Sequence, residues 1–171
     1  MSTALSFGFA GDGGLGDRLL AAVLRGEKTA TSSLAVEYLS GEPLPRVGER
    51  LRLVDHVGRV YGLVETTRVT IVALNLVGDD VAREEGEGFA DAAQWREAHV
   101  AFWDEVADLV RADAGDPEWQ LREAEPVVVH WFKLLEPAAT PRATPRKINS
   151  RSTTDSCRGD RLAGDGRTAP C

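Results

Sequence analysis

Hydroxyls crowd one short segment, Lys28-Thr29-Ala30-Thr31-Ser32-Ser33, with four of them in five residues. Acids crowd another, Ala82-Arg83-Glu84-Glu85-Gly86-Glu87-Gly88. An acidic run taken alone reads as a solvated face. The three histidines, His56, His99 and His130, stand apart and match no ligand spacing for a metal. Both cysteines, Cys157 and Cys171, come late, so thiolate metal sites and a disulfide framework are excluded from the first 136 residues. The sequence therefore implies no metal and no cofactor.

Two glycine motifs call for phosphate chemistry and fail on context. Gly11-Asp12-Gly13-Gly14-Leu15-Gly16 spells G-x-G-x-x-G ahead of a helix. A dinucleotide fingerprint also needs an acid about 20 residues on, at the end of a second strand. Here the helix is followed by the hydroxyl segment and an expected second helix, so the motif reads as a loop entering a helix. Gly26-Glu27-Lys28-Thr29 faintly resembles the end of a P-loop. That loop requires adjacent Gly-Lys after a strand. Glu27 intervenes, and the element before it is helical.

The elements that must position these residues follow from periodicity. Leu19, Leu20, Val23 and Leu24 predict a helix over Asp17–Arg25, with Gly26 as its C-terminal cap. The hydroxyls suit a helix N-terminus, where they satisfy orphan N–H groups, so a short helix is expected over Leu34–Leu39. Arg50–Val54 alternates as a half-buried strand, and Val57-Gly58-Arg59 fits a hairpin turn. Val60–Ala73 is rich in Val, Ile and Thr and reads as one long strand or two. A helix from Asp79 or Asp80 to Glu85 ends at Gly86. Asp91 caps the longest expected helix, Ala92–Ala112. Trp95, His99, Phe102, Trp103 and Val110 fall on its apolar face, so Trp95 and His99 read as core before ligands. Val127–Leu135 is a strongly apolar strand. The order lacks βαβ units, which argues for α+β over a doubly wound sheet.

The chain has 171 residues, 43% of them hydrophobic, which suits a single core with an extension. From Pro137 onward Pro, Thr, Arg, Gly and Ser dominate and periodicity vanishes. Residues 137–171 are expected to be a disordered basic tail, and residues 1–136 the domain. The tail carries seven basic residues against three acids, a net of +4. The body keeps 13 bases against 24 acids, a net of −11. An acidic body disfavours tight binding of long nucleic acid and leaves room for a small neutral ligand such as a nucleoside. No apolar run approaches a membrane span, and the N-terminus lacks the basic start and apolar stretch of a signal peptide. A cytoplasmic protein without a membrane partner is expected. The sequence names no oligomeric partner.

Gly26-Glu27-Lys28-Thr29-Ala30-Thr31-Ser32-Ser33-Leu34 followed by Glu37-Tyr38 resembles the G-x-K-T-x-T segment of ASCH domains. Pro45-Arg46-Val47-Gly48-Glu49 resembles their loop before the first long strand. Ala82–Gly88 is similar to their A-x-x-E-G-E-G turn. Trp95, His99 and Phe102 are similar to the long-helix signature of the larger bacterial ASCH subgroup. The motifs run in order through about residues 7–135. The resemblance implies a PUA-like fold, a small curved β-barrel with surrounding helices, associated with RNA or modified nucleosides. Small members resemble this chain at the K-T-x-T and Glu positions and act as amidohydrolases on N4-acylated cytidine; ribonuclease activity is attributed to other members. One departure is His130, where relatives often carry an acid.

Carried over by motif, Lys28, Thr31 and Glu85 form the candidate catalytic group, with Thr29, Ser32, Ser33 and Glu37 as candidate ligand contacts. Amide hydrolysis needs a nucleophile, a base to activate it and an acid for the leaving amine. Lys28 fits a base whose ammonium is disfavoured by burial, Thr31 a nucleophile or water-orienting group, and Glu85 an acid for the leaving N4 group or a contact to the cytosine amino edge. The plainer alternative stays open: Lys28 and Glu85 tie a loop to the barrel, and Thr31 caps a helix. Two functions therefore stand side by side. One is a metal-independent amidohydrolase on a small nucleoside-like substrate. The other is a module that binds RNA or a modified base.

Overall fold

The computed structural model describes residues 4–138. The strands are β1 Ala4–Phe7, β2 Ala30–Leu34, β3 Arg50–Asp55, β4 Val60–Ala73 and β5 Pro126–Pro137. The helices are α1 Leu15–Arg25, α2 Asp79–Glu84, α3 Ala92–Glu105 and α4 Ala107–Ala114. The class is α+β. The strands form one mixed sheet in the order β1-β3-β4-β5-β2. β1 runs parallel to β3, and every other pair is antiparallel.

The sheet is open where a closed barrel was expected: β1 and β2 are its two edges and do not pair with each other. Both edges are short, four and five residues, and the interior strands β3, β4 and β5 have 6, 14 and 12. Bending is present nonetheless. The β4–β5 register shifts between Leu63 and Val64 and again between Thr66 and Arg68. Such irregularities bend a strand and increase its twist.

Alternation along β5 feeds two cores. Val127, Val129 and Trp131 pack with Ala30, Leu34, Trp95, Trp103 and Val110 beneath the helices. Phe132 points the other way, into a cluster with Phe7, Leu20, Val23, Leu51, Leu53 and Val64. α1 thereby seals one side of the sheet and α2–α4 another stretch of it.

Four readings change here. β1 was not anticipated. The hydroxyl segment is strand β2, not a helix start, because Ala30 and Leu34 are fully buried at its ends and its backbone pairs with Val127–Trp131 of β5. The expected Leu34–Leu39 helix is a 3-10 turn over Ala35–Ser40. The single long helix divides at Val106, whose backbone leaves helical geometry (φ −99°, ψ 16°). The expected tail lies outside the described residues, apart from Pro137 and Ala138.

Candidate functional site

Lys28 sits in the connection between α1 and β2, and its side chain is wholly buried. Burying an ammonium is costly unless it is paired and hydrogen-bonded. Here Nζ donates to Glu87 Oε1 at 2.6 Å and to the Glu85 carbonyl at 3.2 Å. Glu85 Oε2 lies 3.9 Å away. Both acids come from the turn that ends α2.

That turn approaches the Lys28 segment so closely that Gly86 is required. Gly86 has φ +65°, and a Cβ there would meet the Lys28 backbone nitrogen at 2.7 Å. The adjoining bond from the Thr29 N–H to the Glu84 carbonyl, 2.8 Å, laces the two segments together.

Glu85 is the hub. It is 1% exposed. Its Oε1 accepts from Ser32 Oγ at 2.5 Å, and its Oε2 faces His99 Nε2 at 3.3 Å. Burial pushes the carboxyl up. The His99 bond, the Lys28 charge and the Ser32 hydroxyl outweigh burial and hold it below its ordinary 4.5. His99 is fixed on its other edge, where Nδ1 bonds the Trp95 carbonyl at 2.9 Å. Its ring stacks on Trp95 with centroids 4.0 Å apart.

A cavity of about 540 Å³ opens over this cluster. Ser32, Glu87 and His99 give it a polar floor, and Phe89, Phe102 and Trp103 give it an aromatic wall. Arg18 and Arg25 of α1 stand at its margin. The size falls within the range of small-molecule sites, as does an apolar lining with a few converging polar groups.

Of the residues expected at the site, Lys28, Glu85 and Ser32 come together. Thr31 does not join them. β2 is extended, so Thr31 lies on the sheet face opposite Ser32, in register with His130. Thr29 bonds the Glu84 carbonyl, Ser33 pairs with Tyr38, and Glu37 accepts from the Leu34 N–H to close the 3-10 turn. These three serve local structure and do not line the cavity. Two site residues were read differently in the sequence. Glu87 was placed in a solvated run and is in fact the 2.6 Å partner of Lys28. His99 was placed in the core, and it lines the cavity against Glu85. Trp95 is core, with 0% exposure.

The glycine loop is not a phosphate cradle. The Asp12 carboxylate accepts from the N–H groups of Gly16 and Gly14 at 2.8 Å and of Phe9 at 3.2 Å. The chain's own anion occupies the start of α1, and those bonds, Gly16 first, hold Asp12 below its ordinary value. Among the described residues no group of His, Cys, Asp or Glu is arranged to hold a metal ion. No described helix is long and apolar enough to cross a membrane.

A PUA-like α+β sheet with a buried Lys–Glu centre beneath an aromatic-walled cavity defines the class. The family model for the ASCH domain matches residues 5–136, and the chain belongs to that family. An ASCH domain from Lactobacillus crispatus is similar at 32% identity over 79% of this chain and 82% of that one, with TM-score 0.63. The protein EF3133 from Enterococcus faecalis, of family-model DUF984, is similar at 26% identity over 78% and 77%, with TM-score 0.64. No curated protein matches the chain.

Proposed function

We propose that the cavity binds a small nucleoside-like amide and that the Lys28–Glu85 centre hydrolyses it, with N4-acylated cytidine as the substrate class. The observation that carries this reading is the convergence on Glu85 of Lys28, Ser32 and His99, of which Ser32 and His99 line a cavity sized for such a ligand. The aromatic wall suits the face of a base. Hydrolysis of an amide needs a base near the attacking oxygen and an acid near the leaving nitrogen.

Ser32, rather than Thr31, presents its hydroxyl from β2, and Glu85 is the base behind it, at 2.5 Å. Lys28 lies behind the cavity lining, where it fixes both carboxylates and favours the charged form of Glu85. A second reading rests on the same wall: Phe89 and Phe102 could hold a modified base of an RNA with no chemistry following.

The test is turnover of a panel of acylated cytidines by the parent, by Glu85→Gln and by Lys28→Met. Hydrolysis by the parent that falls at least about 100-fold in both variants supports the proposal. Tight binding of the panel without turnover favours the binding module.

A further inference from the structure

We propose that His99 is a catalytic residue: it lines the cavity as an imidazolium held by Glu85 and delivers its Nε2 proton to the leaving nitrogen. The delivery step rests on the amide-hydrolysis reading above; the charged pair does not. The geometry fixes where the protons are. A backbone carbonyl can only accept, so the 2.9 Å contact between His99 Nδ1 and the Trp95 carbonyl requires a proton on Nδ1.

A neutral ring with its proton on Nδ1 has a bare lone pair on Nε2. That lone pair would face Glu85 Oε2 at 3.3 Å, acceptor against acceptor. A proton must lie between them. Glu85 also takes a hydrogen bond from Ser32 on Oε1 and faces the Lys28 ammonium, and both partners favour the carboxylate. The proton therefore sits on Nε2.

The surroundings are charged on several sides. Lys28 approaches from the chain before β2 and Ser32 from β2. Glu87 comes from the turn after α2, and Arg18 and Arg25 from α1. Among these the carboxylate nearest the ring is that of Glu85. Trp95 stacks beneath the ring, and Phe89 and Trp103 flank it at 5.8 and 5.2 Å between centroids. Its orientation is thus set by aromatic packing as well as by two polar bonds.

The step balances. A water oxygen forms a bond to the acyl carbon and passes one proton to Ser32 Oγ, whose own proton moves to Glu85. The acyl carbon–nitrogen bond breaks, and the nitrogen takes the Nε2 proton of His99. The products are a carboxylic acid and an amine. Glu85 then returns the proton it gained to Nε2, so the pair regains its starting state without any further reactant.

Long-range 1H–15N correlation of the histidine rings tests the placement, with His99→Gln identifying the signal. The parent at pH 7 should show protons on both nitrogens of His99, and Glu85→Gln should leave only Nδ1 protonated. A singly protonated His99 ring in the parent overturns the proposal whatever the activity. Kinetics test the delivery. His99→Gln should lower kcat on N4-acetylcytidine about 100-fold or more, with KM within about threefold. Added imidazole should restore part of the rate to His99→Ala. Parent-like kcat in His99→Gln overturns the delivery role. A parent with no turnover of any acylated cytidine removes the amide reading and the delivery step together, and the ring spectrum still decides the charged pair.

Discussion

Lys28 has no access to water, so its neighbours decide what its loss does. Removing one member of a buried pair leaves the other's charge uncompensated, typically at about 3–5 kcal/mol. Lys28→Met strands Glu85 and Glu87 together, and its urea midpoint should fall accordingly. Glu85→Gln keeps the shape and an acceptor for Ser32, and should cost less. Residues sharing one network do not act additively, so the double variant should be more stable than the sum of the singles implies. Additive losses would mean that the 3.9 Å approach of Lys28 to Glu85 carries no energy.

The sign of the pH dependence follows from two groups. Glu85 is held below its ordinary 4.5, so its contribution is present above 4.5 and is lost as pH falls through the folded value. His130 acts at higher pH. Burial, opposed by the Glu49 charge, pushes its ring down to about 4 from 6.5. The unfolded chain then takes up the proton first, so this stability is complete above 6.5 and falls between 6.5 and 4. A shift of that size corresponds to about 3 kcal/mol. His130 Nε2 is also bonded to Thr66 Oγ1 at 2.8 Å. His130→Gln should flatten the parent's loss of stability over that interval in urea titrations at stepped pH. An unchanged slope would assign the loss to other groups.

At the scale of elements, the α2 turn and the start of β2 form one unit, and Gly86 is where they touch. Gly86→Ala places a methyl against the Lys28 backbone and forces a left-handed residue to carry a Cβ. It should destabilise by at least about 1–3 kcal/mol and should reduce turnover with it, read by thermal melts and initial rates. Trp95→Ala on α3 empties the centre of the helical core and should cost about 3–5 kcal/mol. A parent-like melt for either variant would show that the element it sits on is looser than its burial implies.

The same elements show what periodicity could reach. α1, β3, β4 and β5 were legible because their apolar spacing carries through several turns or pleats. β1 has four residues, too few for a period. β2 was misread because Thr and Ser serve a helix cap and a strand edge equally well, and only pairing with β5 separates the two. That misreading moved one residue of the site: a turn would have swung Thr31 toward Lys28, and the extended chain delivers Ser32 instead. Glu85 was reached through motif resemblance, since nothing in an acidic run tells a buried carboxylate from a solvated one. His99 was hidden by its place on the apolar stripe, whose aromatic members form both core and cavity wall.

For the whole molecule, the charge distribution yields a prediction about RNA. The first 136 residues carry a net of −11. Contacts to RNA phosphates release counterions only where basic groups meet them, so binding of long RNA should depend weakly on salt. Arg25 at the cavity margin is already paired with Glu27 at 2.7 Å, which lowers the local field further. A shallow slope of log affinity against log salt is expected for residues 1–136 on a 20-nucleotide RNA. Submicromolar affinity with a steep slope would move the function from a small ligand to the polymer.

The central claim is that a buried Lys28–Glu85 centre cleaves an acylated nucleoside amide in the cavity above it, and steady-state hydrolysis of N4-acetylcytidine tests it most directly. Release of cytidine and acetate by the purified parent, falling at least about 100-fold in Glu85→Gln while that variant still melts cooperatively, is the predicted result. Release of cytidine at the same rate by parent and Glu85→Gln would contradict the claim at the residue it depends on.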